Sequence, residues 1–242
     1  MKSRNSLLVS LAILATCAAI AFAAFRNQTR KDVGGDATDQ NSWPLTSYSV
    51  PNPSDPDKRA RREARGKKYL KSTFRVHPDD PAKNTTKVDS LDPTLPSLPV
   101  MQSNTVVLGE VLTAQAYLST DQSGVYSEFN IRIEDVFKNA DLESLATGCQ
   151  IDVEREGGRV KFPSGHIHWY SVDKENMPLV GRRYIFFLTR GNQEEAFHIL
   201  TAYELRGNKV FALDELPQFK SQAGKNETDF VNALRTLLTN PS

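Results

Sequence analysis

The sequence predicts a mainly β fold: a small, partly open barrel with a C-terminal helix, preceded by a disordered tether. Short runs of alternating or β-branched residues, separated by glycine turns, fill residues 100–242. No strand–helix–strand alternation is visible there, which argues against a parallel α/β sheet. Nine of the thirteen prolines lie between residues 26 and 99, where no apolar period is sustained. These observations divide the chain into a leader (1–25), a tether (26–99) and one folded domain (100–242).

The leader contains an uncharged, mostly apolar run of nineteen residues, 7–25, which Lys2 and Arg4 precede. A basic start, an apolar centre and a small-residue site ending at Ala23 are typical of a secretory signal peptide. The run is also long enough to cross a bilayer, because a membrane helix needs about 20 apolar residues. We therefore expect a signal peptide or a membrane anchor, and an exported domain that is periplasmic or extracellular.

The two cysteines raise separate questions. Cys17 lies inside the apolar run, and its setting resembles a bacterial lipobox, so lipidation at Cys17 is a third possible fate of the leader. Cys149 is the only cysteine after the leader, which excludes a disulfide within the mature chain. The alternation that follows Cys149 predicts a buried, inert thiol. Stability must then come from a hydrophobic core, for which about 140 residues suffice.

The predicted tether contains a basic island, residues 58–75, with nine Lys or Arg, a single Glu and no proline. Its net charge of +8 contrasts with −5 for residues 100–242, so the total of +1 hides a basic tether and an acidic domain. The island predicts a short polar helix, and pairing between tether and domain is possible, although exposed ion pairs are individually weak.

Two interpretations of the island remain open: a solvated linker, or electrostatic contact with lipid head groups or an acidic envelope polymer. The residues that would make this polyanion contact are Lys58, Arg59, Arg61, Arg62, Arg65, Lys67 and Lys68. Nucleic acid is not an expected partner, since an exported protein rarely meets it and few aromatic residues are interleaved for stacking on bases. Membrane association through residues 7–25 is a separate possibility.

Alternation and turn residues predict eight strands in the domain, at 105–112, 129–137, 149–154, 159–162, 166–172, 182–189, 197–203 and 209–213. Gly109 suggests a bend in the first strand, and a slip of phase at Glu134-Asp135 suggests a bulge in the second. Glu156-Gly157-Gly158 predicts a hairpin turn between the third and fourth strands.

A helix is predicted at the C-terminus. Asn226 is a suitable N-cap residue, and acidic residues follow in the first turn. An apolar stripe of Phe230, Leu234, Leu237 and Leu238 then predicts the face that packs on the barrel.

Three segments carry a resemblance to a known module: Gly109-Glu110-Val111, residues 126–138 and residues 179–188. Over about residues 104–213 the chain resembles the netrin/metalloproteinase-inhibitor type of OB module, and it is similar to cysteine-poor exported bacterial proteins. The resemblance implies an OB-like barrel. The chain departs from that group in lacking a cysteine pair, and a shared fold does not supply a function.

His166 and His168 form the candidate metal pair, because residues i and i+2 of a strand point to the same face. His198 or Glu175 could add a third ligand, while the alternative is a pair of solvent-facing histidines on a strand. The sequence contains no G-x-S-x-G elbow and no phosphate-binding loop. No cofactor is expected.

Three functions remain as hypotheses. The preferred one is an exported, non-catalytic binding or adaptor domain on a flexible tether, with a protein or an envelope polymer as its partner. The second is an envelope structural protein that residues 58–75 attach to polyanions. The third is a metal-dependent enzyme that uses His166 and His168.

Overall fold

The computed structural model describes residues 40–49, 54–70, 85–140, 144–190 and 196–239. The predicted leader lies outside these ranges. The described strands are β1 Leu45–Ser47, β2 Thr85–Ser90, β3 Thr105–Leu118, β4 Val125–Asn139, β5 Gln150–Glu156, β6 Gly158–Lys161, β7 Ile167–Asp173, β8 Arg183–Thr189, β9 Phe197–Arg206 and β10 Lys209–Ala212. The helices are α1 Pro56–Lys68, α2 Pro217–Lys220 and α3 Glu227–Thr239. No helix in these ranges is long and apolar enough to span a bilayer.

Five strands close into one barrel. β3 pairs with β4 and β8, β4 pairs with β5, and β8 pairs with β9, all antiparallel. The last seam is parallel and short, since β5 meets β9 only at Val153 and Glu154. β10 extends the sheet beyond β9. The mainly β, partly closed barrel that the sequence predicts is therefore confirmed.

Both predicted irregularities of the first two barrel strands are present. Leu108 pairs with Asp135 and Gly109 with Ile133, so Glu134 is the extra residue of a bulge. A side chain at Gly109 would overlap Ile131 on the neighbouring strand, which explains a glycine in this position. The bulge bends β3 and β4 together and lets both strands contribute to a closed barrel.

The predicted hairpin at Glu156-Gly157-Gly158 is wrong. β5 pairs with β4 and β9, whereas β6 belongs to a second sheet of order β1–β6–β7–β2. Gly157 and Gly158 have φ values of +105° and +144°, which favour glycine. A side chain at Gly157 would come within 2.8 Å of the Tyr170 carbonyl oxygen. The glycine pair thus lies where the chain crosses from the barrel to the second sheet, and it does not form a tight turn.

Parts of the predicted tether are ordered. β1 pairs parallel with β6, and β2 pairs parallel with β7, so residues 45–47 and 85–90 form the edges of the second sheet. The Trp43 side chain is only 1% exposed and packs in the barrel core, and Leu91 is also buried. The proline-rich composition did not predict these ordered parts, because isolated buried apolar residues and backbone hydrogen bonds can order a segment that has no apolar period.

The C-terminal helix α3 begins and packs as predicted. The Asn226 Oδ1 accepts hydrogen bonds from the Thr228 and Asp229 amides, at 2.9 and 3.4 Å. Phe230 and Leu234 are buried, and Leu238 packs against the same cluster. Leu237 is the exception, since it is 43% exposed.

We predict that Trp43→Ala lowers the free energy of unfolding by about 3 kcal/mol, because it opens a large cavity in the barrel core. Urea unfolding of the full chain measures the loss. The matched control is Met101→Ala, whose side chain is 71% exposed and should change stability little. Equal stability of the two variants would contradict the docking of residues 40–49.

Candidate functional site

The predicted histidine pair is partly buried. The ring centroids of His166 and His168 are 6.1 Å apart, and the His168 Nε2 lies 2.9 Å from the Thr86 Oγ1. The expectation of solvent-facing histidines is wrong for His168, which is 6% exposed because β2 lies beside β7. Within the described ranges, no group of three or more His, Cys, Asp or Glu could hold a metal ion. Glu175, a predicted third ligand, instead pairs with Arg155.

Cys149 is exposed, so the predicted buried thiol is wrong. Gly148, with φ of +89°, turns the chain just before it, and β5 begins only at Gln150. Cys149 thus precedes the strand, and the burial pattern of β5 does not apply to it.

The basic island contains a helix, as its sequence predicts. Asp55 caps α1, since its Oδ1 accepts hydrogen bonds from the Asp57 and Lys58 amides at 2.9 and 3.3 Å. Pro56 occupies the first turn, where its fixed φ is favourable. Arg65, Lys67 and Lys68 lie in the last turn, where positive charge favours the helix dipole. Local sequence thus specifies both ends of α1.

Helix α1 lies close to the barrel at two glycines. Gly66 is buried, and a side chain there would come within 3.0 Å of the Thr120 Oγ1 in the β3–β4 turn, residues 119–124. A side chain at Gly124 would overlap the Tyr69 carbonyl oxygen. Glycine at both positions allows backbone to approach backbone, so the helix and this turn are in direct contact.

Tyr69 follows α1 and anchors it. Its ring stacks on that of Tyr126, with centroids 4.6 Å apart and planes at 9°, and only 6% of the residue is exposed. Tyr117 extends the aromatic stack at 5.6 Å from Tyr126, and the Arg62 guanidinium lies 5.4 Å from the Tyr117 ring centroid. Stacked rings and a cation over an aromatic face each add to the free energy gained by burial.

Opposite charges complete the contact. The Arg65 Nη1 lies 2.8 Å from the Glu128 Oε2, and its Nη2 lies 3.5 Å from the Asp152 Oδ2. The Lys68 Nζ lies 2.8 Å from the Glu154 Oε1, and the Glu154 side chain is only 1% exposed. The basic tether and the acidic domain therefore meet at a defined surface. We call the outer residues Tyr117, Tyr126, Glu128, Asp152 and Glu154 the acidic face.

Burial raises the pKa of titratable groups where α1 meets the acidic face. It raises the pKa of Glu128 despite the nearby Arg65 guanidinium. It also raises the pKa of Tyr69 well above the ordinary value, and the adjacent Glu154 carboxylate adds to the shift. The Tyr69 phenol is therefore neutral at physiological pH, and in the described ranges Arg65 and Lys68 of α1 supply the positive charges that pair with these carboxylates.

The structure divides the seven predicted contact residues. Arg62 and Arg65 are half-buried against the acidic face, and Lys68 pairs with Glu154. Lys58, Arg59, Arg61 and Lys67 are exposed. A cavity of about 320 Å³ remains beside the helix, lined by Lys58, Arg61, Arg62, Arg65, Tyr117, Glu128 and Asp152. Contact with an external polyanion stays a prediction.

A second charged cluster lies inside the protein. Arg155 is fully buried, and its Nη1 and Nη2 donate to the two Asp214 carboxylate oxygens at 2.9 and 2.7 Å. The Arg155 Nε lies 3.1 Å from the Glu175 Oε2. The Thr201 hydroxyl and the Asn176 amide also donate to Asp214, at 2.8 and 3.0 Å. Every ion of this cluster has an opposite charge beside it.

Residue spacing does not predict this cluster, although the sequence contains one signal of it. Glu154, Arg155 and Glu156 are consecutive charges in a strand whose preceding residues Ile151 and Val153 face the core. Strict alternation requires Arg155 to face the core as well. A buried arginine needs a carboxylate partner, but sequence spacing does not identify Asp214 or Glu175 as that partner.

Glu175 is the group of this cluster with the most perturbed acidity. Burial raises its pKa to about 7, with Arg155 opposing and Asp214 adding to the shift. A perturbed pKa beside a cleft is a common mark of catalysis, but structural ion-pair networks produce it too. The Glu175 carboxylate contacts the Arg155 guanidinium. We assign it a structural role.

No protein-family model and no curated protein matches this chain.

We predict that Arg155→Met lowers the free energy of unfolding by about 3–5 kcal/mol, because it leaves the Asp214 and Glu175 carboxylates buried without a counter-charge. Chemical denaturation at neutral pH measures the loss. Arg132→Met is the matched control: it breaks the exposed pair with Glu110 and should cost less than about 1 kcal/mol. A loss from Arg155→Met no larger than the control's would show that the buried cluster does not stabilise the fold.

A pH dependence follows from Glu175. Its pKa is raised in the native state, so its contribution to stability is complete below about pH 4.5 and is lost as pH rises through about 7. Glu175→Gln removes this titration. We expect the stability of the variant relative to the wild type to increase by at least ~1 kcal/mol from pH 5 to pH 8. A difference that is constant with pH, or that decreases, would mean that Arg155 outweighs burial.

Proposed function

We propose that this protein is an exported, non-catalytic binding module whose ligand surface is the acidic face. The observation that carries the proposal is that this face already holds a charged peptide segment, α1 with Tyr69, through ion pairs and stacked rings. The barrel therefore has a surface of the right composition to bind a polypeptide. We also propose kinship with the netrin/metalloproteinase-inhibitor type of OB module that residues 104–213 resemble.

The location of α1 supports the proposal. OB-type barrels bind their ligands on the face of the second and third strands and on the loop between the first two. In this barrel those elements are β4, β5 and residues 119–124, which are the elements that α1 contacts. Fold alone does not determine function, so the proposal depends on the observed contacts between α1 and these elements.

The charge of the face supports a polypeptide ligand over a nucleic acid. Glu128, Asp152 and Glu154 lie on neighbouring strands, where they would repel phosphate groups. Glu154 is buried, and a ligand that covers it must bring a positive charge to it. The expected ligand is cationic, in agreement with the segment that occupies the face.

Export is proposed from the leader. Residues 7–25 follow two basic residues and end near a small-residue site, which favours a signal peptide or an anchor. In both cases the domain acts outside the cytoplasm, either released or held at the membrane by its N-terminal segment.

A second candidate function is attachment to an envelope polyanion through α1. The exposed side chains of Lys58, Arg61 and Lys67 favour it, because they keep positive charge on the surface of the helix after docking. This function requires the outer cations of α1, whereas the preferred one requires the acidic face.

We predict that a photo-crosslinking amino acid at Asn130, beside Glu128 on β4, captures a protein partner in intact cells that express the full chain. The same substitution at Asp229, exposed on α3, is the matched control and should capture none. A discrete product in the envelope fraction from Asn130 alone supports the proposal. Absence of a product, equal products at both positions, or a product in the cytoplasm would each contradict it.

The triple variant Lys58→Glu, Arg61→Glu, Lys67→Glu separates the two candidate functions. If the acidic face binds the partner, the Asn130 product persists in this variant. If α1 attaches the protein to a polyanion, less of the variant is retained in the envelope fraction. Added salt should then also release the wild type from that fraction.

A further inference from the structure

Helix α1 contacts the barrel through one side. Arg62, Arg65, Gly66 and Tyr69 follow the spacing i, i+3, i+4, i+7, which places them along one helix face. Their contacts are the Tyr117 ring, the Glu128 carboxylate, the β3–β4 turn and the Tyr126 ring, in that order. A short, one-sided pattern of this kind is how a helical peptide is recognised in a groove.

The acidic face selects for charge and for an aromatic anchor. Glu154 is almost fully buried beneath Lys68 and Tyr69, so a neutral segment in this place would leave a carboxylate buried without a counter-charge. The Tyr126 ring stacks nearly parallel to Tyr69, and Gly124 makes room for the Tyr69 backbone. The two requirements are therefore a cation and a tyrosine in adjacent positions.

The segment that fills the site is held by ion pairs and one aromatic stack, while α1 itself buries little apolar surface. Gly66 is the only buried residue of α1, and the helix is strongly polar. Segments with little buried apolar surface open at a low free-energy cost. A competing segment that offers the same groups can therefore replace α1 without unfolding the barrel.

We infer that the acidic face is a docking site for a Lys/Arg-rich helix followed directly by a tyrosine on a partner protein, and that α1 with Tyr69 is its built-in competitor. The inference rests on the proposed binding function and names the chemistry of the partner. Because α1 belongs to the same chain as its site, it competes intramolecularly, with an effective concentration of order millimolar. An external ligand therefore binds the wild type weakly and binds a chain with a weakened α1 more tightly.

The test uses the full chain, purified in mild detergent, and a fluorescent peptide with the sequence of residues 54–70. In the receptor variant Arg65→Glu, Lys68→Glu, both ion pairs become repulsive, which should displace α1 while every residue of the acidic face stays the same. Fluorescence anisotropy should give a Kd at least tenfold lower for this variant than for the wild type. Arg65→Gln, Lys68→Gln is a milder receptor that should shift the Kd in the same direction.

Two further substitutions locate the binding. In the receptor variant, Glu128→Gln should weaken peptide binding at least tenfold, whereas the matched control Glu215→Gln, exposed after β10, should not change it. A peptide with alanine at the position of Tyr69 should bind at least tenfold more weakly than the parent peptide. Equal Kd values for wild type and receptor variants, or for the two peptides, would overturn the inference.

This outcome is distinguishable from failure of the proposed function. A crosslinked partner at Asn130 together with no peptide binding would reject the basic helix and tyrosine as ligand, and would leave the binding function standing. Absence of both would reject both.

Discussion

The bidentate pair between Arg155 and Asp214 is the interaction on which the rest of the architecture depends. The barrel closes between β5 and β9 through only two residue pairs, which is too short a seam to fix the strands by backbone hydrogen bonds alone. Arg155 on β5 donates to Asp214 and also to the Leu200 carbonyl oxygen on β9, at 3.3 Å. A buried ion cluster thus takes the place of missing ladder bonds. Arg155 and Asp214 must be present together, because a single buried charge left alone is strongly unfavourable.

The same strand also determines the outer surface. Since side chains alternate along β5, an inward Arg155 forces Asp152 and Glu154 to point outward. Glu128 on β4 lies directly opposite Glu154 and adds a like charge. Like charges on paired strands destabilise a sheet unless a counter-ion covers them. The inner cluster and the acidic face therefore both follow from the pairing register of β5. The cations of α1 offset the repulsion between the carboxylates of the acidic face.

Local patterns were sufficient to predict the barrel strands, the Glu134 bulge and the capped α3, because each of these depends on nearby residues. The turn at Gly157-Gly158 could not be predicted, since the same glycine pair serves either a hairpin or a crossing between sheets. Trp43 was also missed, because one apolar residue in a polar segment gives no periodic signal. For the candidate site, the sequence located the cations but not their partners. Glu128 and Glu154 become a binding surface only when β4 and β5 pair.

The composition of the acidic face limits how it can operate. If α1 left without replacement, Glu154 and the Tyr126 ring would face water. Glu128 and Glu154 would then repel each other without the positive charges of α1 beside them. Because α1 buries little apolar surface, the cost of uncovering the face is mainly this electrostatic one, and a second basic segment would remove it. Exchange requires that α1 bind the face more weakly than the partner segment does, which agrees with the small apolar area that α1 buries. Under the proposed function, coverage of the acidic face by α1 restricts binding to partners that bring positive charge to Glu128 and Glu154.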